Sequence, residues 1–413
     1  MSRRRESGLP DATFLTRVAL KNYKSIASCN ISMRPLMFLV GPNGAGKSNF
    51  LDALRFVSDA LNTSLDHALR QRNGIKEVRR RSGGHPTHFS IRLDFKLRSG
   101  QSGHYSFRVG ARPQGGYEVQ SEECLIHSSE VFEQPAYYRV DHGQVRSSEP
   151  AAPATISDRL YLVSASGLPP FRPVYDALSR MAFYNLNPER IRDLQQPDAG
   201  ERLTRDGDNI ASVVAAIAVH APEVKARIQE YLGVVVPGVS GVDTRIVGPK
   251  ETLEFRQEVA GSEFPWRFMA SSMSDGTLRA LGVLVALFQT GNGAYPGVPL
   301  IGIEEPEVAL HPAAFGALID GLMEASEQKQ ILVTSHSPDL LDNDHIRAED
   351  LIAVVAAKGV SQVGPIDAAD VTALRDHLYT AGSLLRMNQL APDQRAIRES
   401  TNGQMKFFEL EEG

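Results

Sequence analysis

Alternation of apolar and polar positions dominates the first third of the chain and is typical of β-strands that are half-buried in a sheet. Five stretches show it, and the last three have the pattern of one antiparallel set: RVALKNYKSI (17–26), CNISMRPLMFLV (29–40), HFSIRLDFKL (88–97), HYSFRVGA (104–111) and YEVQSEECLI (117–126). A polar segment rich in proline and serine follows at 139–157, and its composition predicts a loop.

Helical periodicity replaces this alternation further along the chain. After position 48, apolar side chains recur at steps of four, three and four residues and predict one buried helix face: Phe50, Leu54, Val57 and Leu61. Residues 172–235 contain more helical patterns, at 208–221 and 223–233, and we expect an inserted helical lobe there. From about residue 270, helices and strands alternate, which predicts a parallel sheet covered by helices: 276–288, 299–304, 312–325 and 330–335.

Composition and charge limit the class of protein. With 413 residues, 42% of them apolar and 23% charged, the chain has the balance of a globular protein, with two to three average domains or one large domain with insertions. A net charge of −5 argues against a basic nucleic-acid binder overall but leaves a local basic patch open. Two cysteines cannot form a zinc site or a disulfide framework. No signal-peptide core or membrane-length apolar run is present, so we expect a cytoplasmic protein with no membrane partner.

The segment GPNGAGKS (41–48) has the full phosphate-loop pattern and lies between a predicted strand and a predicted helix. Its glycines let backbone N–H groups surround a phosphate, and the helix adds its positive end. Lys47 should reach the β- and γ-phosphates, and Ser48 should place its hydroxyl on Mg²⁺. A glycine turn before an ordinary helix is the alternative, disfavoured by the flanking elements. The predicted nucleotide-binding set is Gly41, Pro42, Asn43, Gly44, Ala45, Gly46, Lys47, Ser48 and Asn49.

Two acids end the predicted strand PLIGIE, at Glu304 and Glu305. An acid at the carboxyl end of such a strand faces the phosphate loop, so we assign Glu304 to Mg²⁺, through water. Glu305 is placed to orient and deprotonate an attacking water. The alternative is a pair of acids that opens a solvated helix N-terminus, where negative charge is favoured. The buried strand before the acids and Pro306 after them favour the site.

Two further stretches are weak signals on their own, and their order along the chain with the other two motifs strengthens the prediction. Ser274, Asp275 and Gly276 open an apolar helix and predict a second anion-binding helix N-terminus, separate from the phosphate loop. His336 follows a predicted strand and could touch a γ-phosphate. A lone histidine in such a place is more often a structural hydrogen-bonder.

The order of these motifs resembles the ABC-type ATPases, in particular the branch of the SMC, RecF and overcoming-lysogenization-defect (OLD) proteins. The matching motifs are the Asn-aromatic-basic-Ser stretch in LKNYKSI (20–26), Walker A in GPNGAGKSN (41–49), the signature in MSDGTLR (273–279), Walker B in IGIEEPE (301–307), the D-loop in ALHP (309–312) and the switch histidine in VTSHSP (333–338). Residues 58–95 are also similar to compact bacterial "AAA family" predicted ATPases.

This resemblance implies an α/β P-loop NTPase fold, an ABC-type ATPase head with an antiparallel β subdomain and an inserted helical lobe. It implies ATP and Mg²⁺ as cofactors and ATP hydrolysis as the activity. It also implies a head-to-tail homodimer, in which Ser274, Asp275 and Gly276 contact the ATP of the partner, His311 lies at the seam and His336 senses the γ-phosphate. The expected divisions are 13–165 (N-terminal half of the head), 166–265 (inserted helical region), 266–385 (C-terminal half of the head) and 386–413 (tail).

Some features depart from that branch. Glu304 stands where an aspartate is usual, one methylene longer. The expected Q-loop glutamine has only two candidates, Gln71 and Gln120, and neither has the right context. Coiled-coil heptads are missing between Ser48 and Ser274, so a long-armed SMC protein is not expected. Only 77 residues follow His336, so we expect no Toprim nuclease domain.

Two function classes stay open at this stage. One is an ATPase whose dimer opens and closes on DNA, in DNA repair or phage defence. The other is a slow nucleotide switch that holds or releases a separate effector, which could be a nuclease. An ABC transporter subunit is disfavoured, because the acid-pair and NYKS stretches resemble the non-transport branch.

Overall fold

The computed structural model describes residues 14–82, 86–128, 134–151, 157–290, 297–401 and 406–410. The strands in these ranges are β1 (Leu15–Tyr23), β2 (Ile26–Ser32), β3 (Leu36–Val40), β4 (His88–Lys96), β5 (Ser102–Ala111), β6 (Tyr117–His127), β7 (Ala136–Asp141), β8 (Gln144–Glu149), β9 (Ala182–Tyr184), β10 (Val239–Val247), β11 (Lys250–Gln257), β12 (Trp266–Met269), β13 (Leu300–Glu304), β14 (Gln330–Ser335), β15 (Leu351–Ala357) and β16 (Val360–Pro365).

The α-helices in the same ranges are α1 (Lys47–Asn62), α2 (Leu65–Arg70), α3 (Ile75–Val78), α4 (Leu162–Ala165), α5 (Arg172–Ser179), α6 (Pro188–Arg192), α7 (Ile210–His220), α8 (Pro222–Val235), α9 (Asp275–Phe288), α10 (Phe315–Ser326), α11 (Pro338–Leu341), α12 (Ala368–Arg375), α13 (Ala381–Arg386) and α14 (Gln394–Thr401). Short 3-10 helices lie at Ala270–Ser272, Pro312–Ala314 and Ala348–Asp350.

Thirteen of the described strands form one sheet, in the order β8-β7-β6-β5-β4-β1-β2-β16-β15-β3-β14-β13-β9. From β8 to β2 every neighbouring pair is antiparallel. From β15 to β9 every pair is parallel. The β15–β16 hairpin and one bridge between Ser361 and Ile26 join the two halves. The predicted antiparallel set and the predicted parallel sheet are therefore both confirmed, as halves of a single sheet.

The register of the parallel half brings three strand ends to one edge. Ser335 on β14 pairs with Val40 on β3, and Thr334 pairs with Glu304 on β13. Because these strands run in the same direction, the segments that follow them leave the sheet at the same edge. The phosphate loop, the acid pair and His336 are those segments.

Side-chain alternation on β3 shows how the sheet separates two hydrophobic cores. Met37 and Leu39 lie in the core that contains α1 and the antiparallel half. Phe38 and Val40 lie in the core that contains α7 to α10. The predicted buried face of α1 is confirmed at each of its four positions: Phe50, Leu54, Val57 and Leu61.

Two predictions about the first half are wrong in detail. The stretch 29–40 forms two strands rather than one, because Pro35 lies between β2 and β3. Most of the expected loop at 139–157 belongs to the hairpin of β7 and β8, and residues 152–156 lie outside the described residues. His142 and Gly143 both have positive φ, at 47° and 73°, which is the backbone of a tight two-residue hairpin turn.

The region expected to be a helical lobe also contains strands. Helices α5 to α8 are present, but β9 forms the edge of the main sheet, and β10, β11 and β12 form a separate antiparallel sheet. The division of the chain into four ranges, inferred from the sequence, stays a prediction. Among the described residues, no helix combines the length and hydropathy needed to cross a bilayer.

Candidate nucleotide-binding site

The phosphate loop lies between β3 and α1, as its sequence predicts. Gly41 and Gly46 have φ of 153° and 106°. A Cβ would lie 2.0 Å from Val354 O at the first position and 2.1 Å from Ser361 Oγ at the second. Both positions therefore require glycine, for conformation and for space. Ser361 Oγ also donates to Ala45 O (2.6 Å), so β15 and β16 support the loop from behind.

Lys47 is the first residue of α1, and its side chain is buried against the phosphate loop. Its Nζ donates to the carbonyl oxygens of Gly41 (2.7 Å) and Pro42 (3.1 Å). Burial lowers the pKa of this amine, while the charges of Glu305 and Glu307 oppose the shift. The loop thus holds a partly desolvated cation within the electrostatic reach of the acids that follow β13.

The outer side of the loop faces a cleft. Pro42, Asn43, Gly44 and Ser48 are exposed. Ser48 and Glu304 both line the cleft, and their hydroxyl and carboxylate oxygens are the ligand types that Mg²⁺ prefers. Among the residues that the structure describes, no group of three or more His, Cys, Asp or Glu side chains is arranged for a metal. The donor set fits an ion that takes most of its ligands from water and phosphate oxygens.

The NYKS turn between β1 and β2 supports the start of α1. Asn49 Nδ2 donates to Ser25 Oγ (2.6 Å). Lys24 Nζ pairs with Asp52 Oδ2 at 2.6 Å, and Tyr23 OH donates to the same oxygen at 2.8 Å. The predicted site residue Asn49 therefore has a role in fixing the loop to the neighbouring strands.

Asp52 is the centre of a buried charge cluster behind the phosphate loop. Burial alone would raise its pKa, but Arg72, Lys24 and Arg55 hold the pKa of this carboxyl well below its usual range. Arg72 Nε lies 3.0 Å from each carboxylate oxygen. Asp59 Oδ2 also pairs with Arg72 at 2.9 Å, so three cations face two acids and one excess positive charge lies beside a site expected to bind a polyanion.

The acid pair follows β13 in an unusual backbone conformation. Glu305 has a φ of 45°, in the left-handed region, which is costly for a residue with a side chain. Its N–H donates to Thr334 O (3.0 Å) and Thr334 Oγ1 (3.2 Å). Arg279 NH2 donates to the carbonyls of Glu304 (3.1 Å) and Glu305 (2.9 Å). These bonds fix the turn after β13, in which the side chains of Glu304 and Glu305 point in different directions.

Glu305 and His336 meet although they follow different strands. Glu305 Oε1 lies 3.0 Å from His336 Nδ1. Glu307 is buried nearby, and Ser335 Oγ donates to its Oε1 at 2.6 Å. Burial raises the pKa of Glu307, and the hydrogen bonds from Ser335 and the His336 backbone oppose the rise. Glu307 thereby fixes the end of β14 and the histidine that follows it.

The expected signature residues and His311 are not among the residues that line the cleft. Ser274 is exposed and caps α9 by accepting from Thr277 N–H (3.2 Å). Asp275 is also exposed and pairs with Arg192. A Cβ on Gly276 would lie 2.4 Å from the carbonyl oxygen of Ala309, so this end of α9 packs against the segment that follows the acids.

His311 follows that packed segment directly. It is exposed, and its Nδ1 accepts from Ala313 N–H (3.2 Å). The described contacts therefore bring the signature helix and the D-loop segment together on one surface of the chain, while the cleft beside the phosphate loop is lined by other residues.

Sequence reasoning missed two arginines of the site. Arg205 pairs with Glu304 at 3.0 Å across 99 positions of sequence, and no local signal marks it. Arg279 is a single arginine in the apolar pattern of α9, and that isolation is a signal that could have drawn attention to it.

The Q-loop candidates lie elsewhere. Gln71 pairs with His67 at the end of α2, and Gln120 lies on β6 against Gly110. Neither residue lines the cleft. The pairing of β9 with β13 ends at Tyr184 and Ile303, so Asn185 follows β9 as Glu304 follows the last paired residue of β13.

Residues 36–342 match the family described as "AAA domain, putative AbiEii toxin, Type IV TA system". The matched range contains the phosphate loop, the acid pair and His336, and it covers most of the chain. The chain belongs to this family. As an AAA-domain protein of this family it is a P-loop protein, which confirms the resemblance inferred from the motifs.

The fold of this AAA-domain protein is that of an SMC ATPase head. The structure of the SmcHead bound to the C-winged helix domain of ScpA has a TM-score of 0.53 and 15% identity, and the match covers 85% of this chain and 97% of that chain. The Smc head domain from Pyrococcus furiosus, bound to the C-terminal domain of ScpA, has a TM-score of 0.51 and 12% identity, over 88% and 99% of the two chains.

A curated relative is also similar to part of this AAA-domain protein in sequence. Structural maintenance of chromosomes protein 1 of Schizosaccharomyces pombe is 26% identical over 175 residues, which cover 37% of this chain. The chain spans only 14% of the length of that relative.

Proposed function

We propose that this protein is an ATPase that binds Mg²⁺ and ATP at the edge of the sheet where β3, β13 and β14 end. The 3.0 Å contact between Glu305 Oε1 and His336 Nδ1 carries the proposal. It joins the acid expected to accept a proton from water and the histidine expected to face the γ-phosphate. The burial of Lys47 in the adjoining phosphate loop supports the same assignment.

Each residue has a distinct task in this proposal. Lys47 and the N–H groups of the loop bind the β- and γ-phosphates. Ser48 and Glu304 hold Mg²⁺, which supplies charge neutralisation at the phosphate oxygens. Glu305 orients and deprotonates water, and His336 holds the Glu305 carboxylate and donates toward the γ-phosphate.

We propose further that two chains meet head to tail to complete each site. Ser274, Asp275 and Gly276 begin a long helix whose N-terminal end is exposed, and they are not among the residues that line the cleft. His311 is exposed beside them. A partner chain would bring this surface to the exposed side of the triphosphate, so ATP would hold the two chains together and hydrolysis would release them.

The Glu305→Gln variant tests both parts of this proposal. The amide keeps the size of the side chain but cannot accept the proton of water, so chemistry should stall after closure. Light scattering should show an ATP-dependent dimer that persists in the variant, while wild-type chain with ADP stays more dissociated. No ATP-dependent change in mass, together with normal turnover, would exclude the shared site.

A chain that is already dimeric through another surface would hide this change in mass. A His311→Cys variant then reports closure directly through a thiol crosslink across the seam. Both native cysteines, Cys29 and Cys124, are buried, so the background of crosslinking is low. Ser274→Arg serves as the matched block, because its bulk should lower turnover and crosslinking without loss of ATP binding.

Two biological roles are compatible with this ATPase, and we favour DNA repair or phage defence. The family description names a toxin and a type IV TA system, which supports defence. ATPase stimulation by DNA that weakens with salt would support action on DNA. Turnover that DNA does not change, with a protein partner that co-purifies, would support the alternative of a slow switch for a separate effector.

We also propose that the chain alone does not cut DNA, because no group of three or more His, Cys, Asp or Glu side chains among the described residues is arranged as a nuclease metal site. An Asp-x-Asp spacing does follow His336, at Asp342 and Asp344, but Asp342 pairs with Arg386 at 2.8 Å. Incubation of purified protein with plasmid and Mg²⁺ or Mn²⁺ should leave the plasmid intact. Nicking that disappears when an acid outside the ATP site is replaced would refute this. Any nuclease would then be the separate partner.

A further inference from the structure

The backbone around Arg205 is fixed beside the cleft by contacts on both sides of the residue. Its carbonyl oxygen accepts from Asn185 N–H (2.9 Å), directly after β9. Thr204 N–H donates to Asn209 Oδ1 at 2.9 Å. Gly207 has a φ of 84°, and a Cβ there would lie 2.8 Å from an isoleucine carbon of α6. The backbone is therefore anchored on both sides, and movement of Arg205 is confined to its side chain.

The partner of this side chain is Glu304, the acid expected to hold the metal. Arg205 NH2 lies 3.0 Å from Glu304 Oε1, and the side chains are 48% and 21% exposed. Solvent screens such a pair, so little energy is needed to break it. Ser48 lines the same cleft. While the guanidinium holds Glu304 Oε1, that oxygen is not free to help bind a metal ion.

Building on the ATP site proposed above, we propose that Arg205 is a phosphate-binding residue supplied in cis that alternates between two anions. It neutralises Glu304 before nucleotide binds, and it contacts a phosphate oxygen of ATP afterwards. The exchange frees Glu304 for the metal. The planar guanidinium suits either anion, because it presents paired N–H donors to carboxylate and phosphate oxygens alike. The anchored backbone keeps the released side chain inside the cleft that Ser48 also lines.

Binding measurements separate this exchange from a purely structural ion pair. The probe is trinitrophenyl-ATP, whose fluorescence is followed first in EDTA and then during a titration with Mg²⁺. The variants are Arg205→Gln, which removes the charge, and Arg205→Lys, which keeps the charge without the paired donors. Arg190→Ala is the control, because Arg190 is exposed on neighbouring α6, lies 3.9 Å from Asp206 and does not line the cleft.

The exchange predicts that Arg205→Gln changes one of the two measurements and leaves the other unchanged. Affinity for the probe in EDTA should fall about tenfold, the loss expected for a hydrogen bond to a charged group. The Mg²⁺ concentration at half-saturation, measured with the probe bound, should stay the same, because Arg205 has already left Glu304 in the wild-type complex. Arg205→Lys should retain part of the affinity in EDTA, and Arg190→Ala should change neither value.

Other outcomes overturn the proposal in distinguishable ways. If Arg205→Gln lowers the Mg²⁺ requirement by about threefold, Arg205 still holds Glu304 in the bound complex and is a structural partner only. If its affinity in EDTA is unchanged, the residue does not reach the phosphates. If the wild-type chain binds no probe under either condition, the ATPase proposal itself fails and this one fails with it.

Discussion

Asp52 and Glu122 are both buried carboxylates, one behind the phosphate loop and one in the antiparallel half of the sheet, yet their pKa values move in opposite directions. Asp52 is surrounded by Lys24, Arg55 and Arg72, which hold its pKa well below the usual range against the effect of burial. Burial dominates at Glu122 and raises its pKa to about 7. The same side-chain chemistry thus gives a charged centre in one region and a readily protonated one in the other.

The difference lies in the partners of the two acids. Glu122 accepts hydrogen bonds from the hydroxyls of Tyr105 (3.1 Å) and Tyr138 (2.9 Å) and from the backbone N–H groups of Tyr161 (2.6 Å) and Leu162 (2.8 Å). These neutral donors only partly offset the loss of hydration. Asp52 therefore keeps its charge through cationic partners beside the expected nucleotide site, while Glu122 is held in the antiparallel half by neutral hydrogen bonds.

Replacing Lys47 should produce the largest effect in the region of the phosphate loop. Lys47→Ala removes the cation expected at the β- and γ-phosphates, so turnover should fall about 1,000-fold, roughly 4 kcal/mol of barrier, with weaker ATP binding. Phosphate release and circular dichroism measure activity and folding together. Lys21→Ala is the control, because Lys21 is exposed on β1 of the antiparallel half. Unchanged turnover in Lys47→Ala would contradict the assignment of the site.

Among the variants that test stability, Asp52→Asn should cause the largest loss in the free energy of unfolding. It leaves Arg72, with 2% of its side chain exposed, without its main counter-charge. We expect a loss of about 3 kcal/mol in the free energy of unfolding, measured in urea at pH 7. Asp59→Asn is the milder control, because Asp59 is more exposed.

The pH dependence of stability has a defined sign at Asp52. The folded pKa is depressed, so the stabilisation by Asp52 is present above its unfolded pKa near 4 and is lost as pH falls below it. A difference between wild type and Asp52→Asn that stays constant down to pH 2 would show that the cluster is not ionised.

Glu122 should change the pH dependence of stability less than Asp52 does, and with the opposite sign. Its folded pKa is raised, so its stabilising contribution is fully present below the unfolded pKa of about 4.5 and is lost as pH rises toward 7. We expect wild type to lose about 1–3 kcal/mol relative to Glu122→Gln between pH 5 and pH 8. Urea unfolding at both pH values measures the change, and a pH-independent difference would place Glu122 with Asp52 as an ionised acid.

Ser361→Ala should produce the smallest effect, at the junction of the two halves. The variant loses the hydrogen bond to Ala45 O and the contact with Ser25 Oγ (2.6 Å each). We expect a loss of about 1 kcal/mol in stability and less than a threefold change in ATP affinity. A larger loss of affinity would show that the support behind the loop shapes the site itself.

The site could be predicted where its signals are local in sequence. The strand before Gly41, the helix after Lys47 and the order of α9, β13, α10 and β14 all follow from hydrophobic periodicity and glycine placement. The residue roles built on those motifs stay predictions until tested.

The remainder depends on contacts between distant segments. Three-residue β9 has no pattern of its own, and its pairing with β13 alone makes it a strand. Arg205 reaches Glu304 only because the chain folds back beside β9. The β7–β8 hairpin was mistaken for a loop because its outer face is polar, while Tyr138 and Val140 are buried on its inner face.

Arg279 makes helix α9 and the acid pair a single stiff element. Its guanidinium donates to three carbonyl oxygens, those of Leu186 (2.8 Å), Glu304 (3.1 Å) and Glu305 (2.9 Å). Because the group is planar and rigid, a shift of the helix by a few tenths of an ångström must lengthen one of these bonds or carry the carbonyls along. Exposed Ser274 begins the same helix. A displacement of this exposed helix end therefore also moves the strained backbone of Glu305, because little more than one turn of helix separates Ser274 from Arg279.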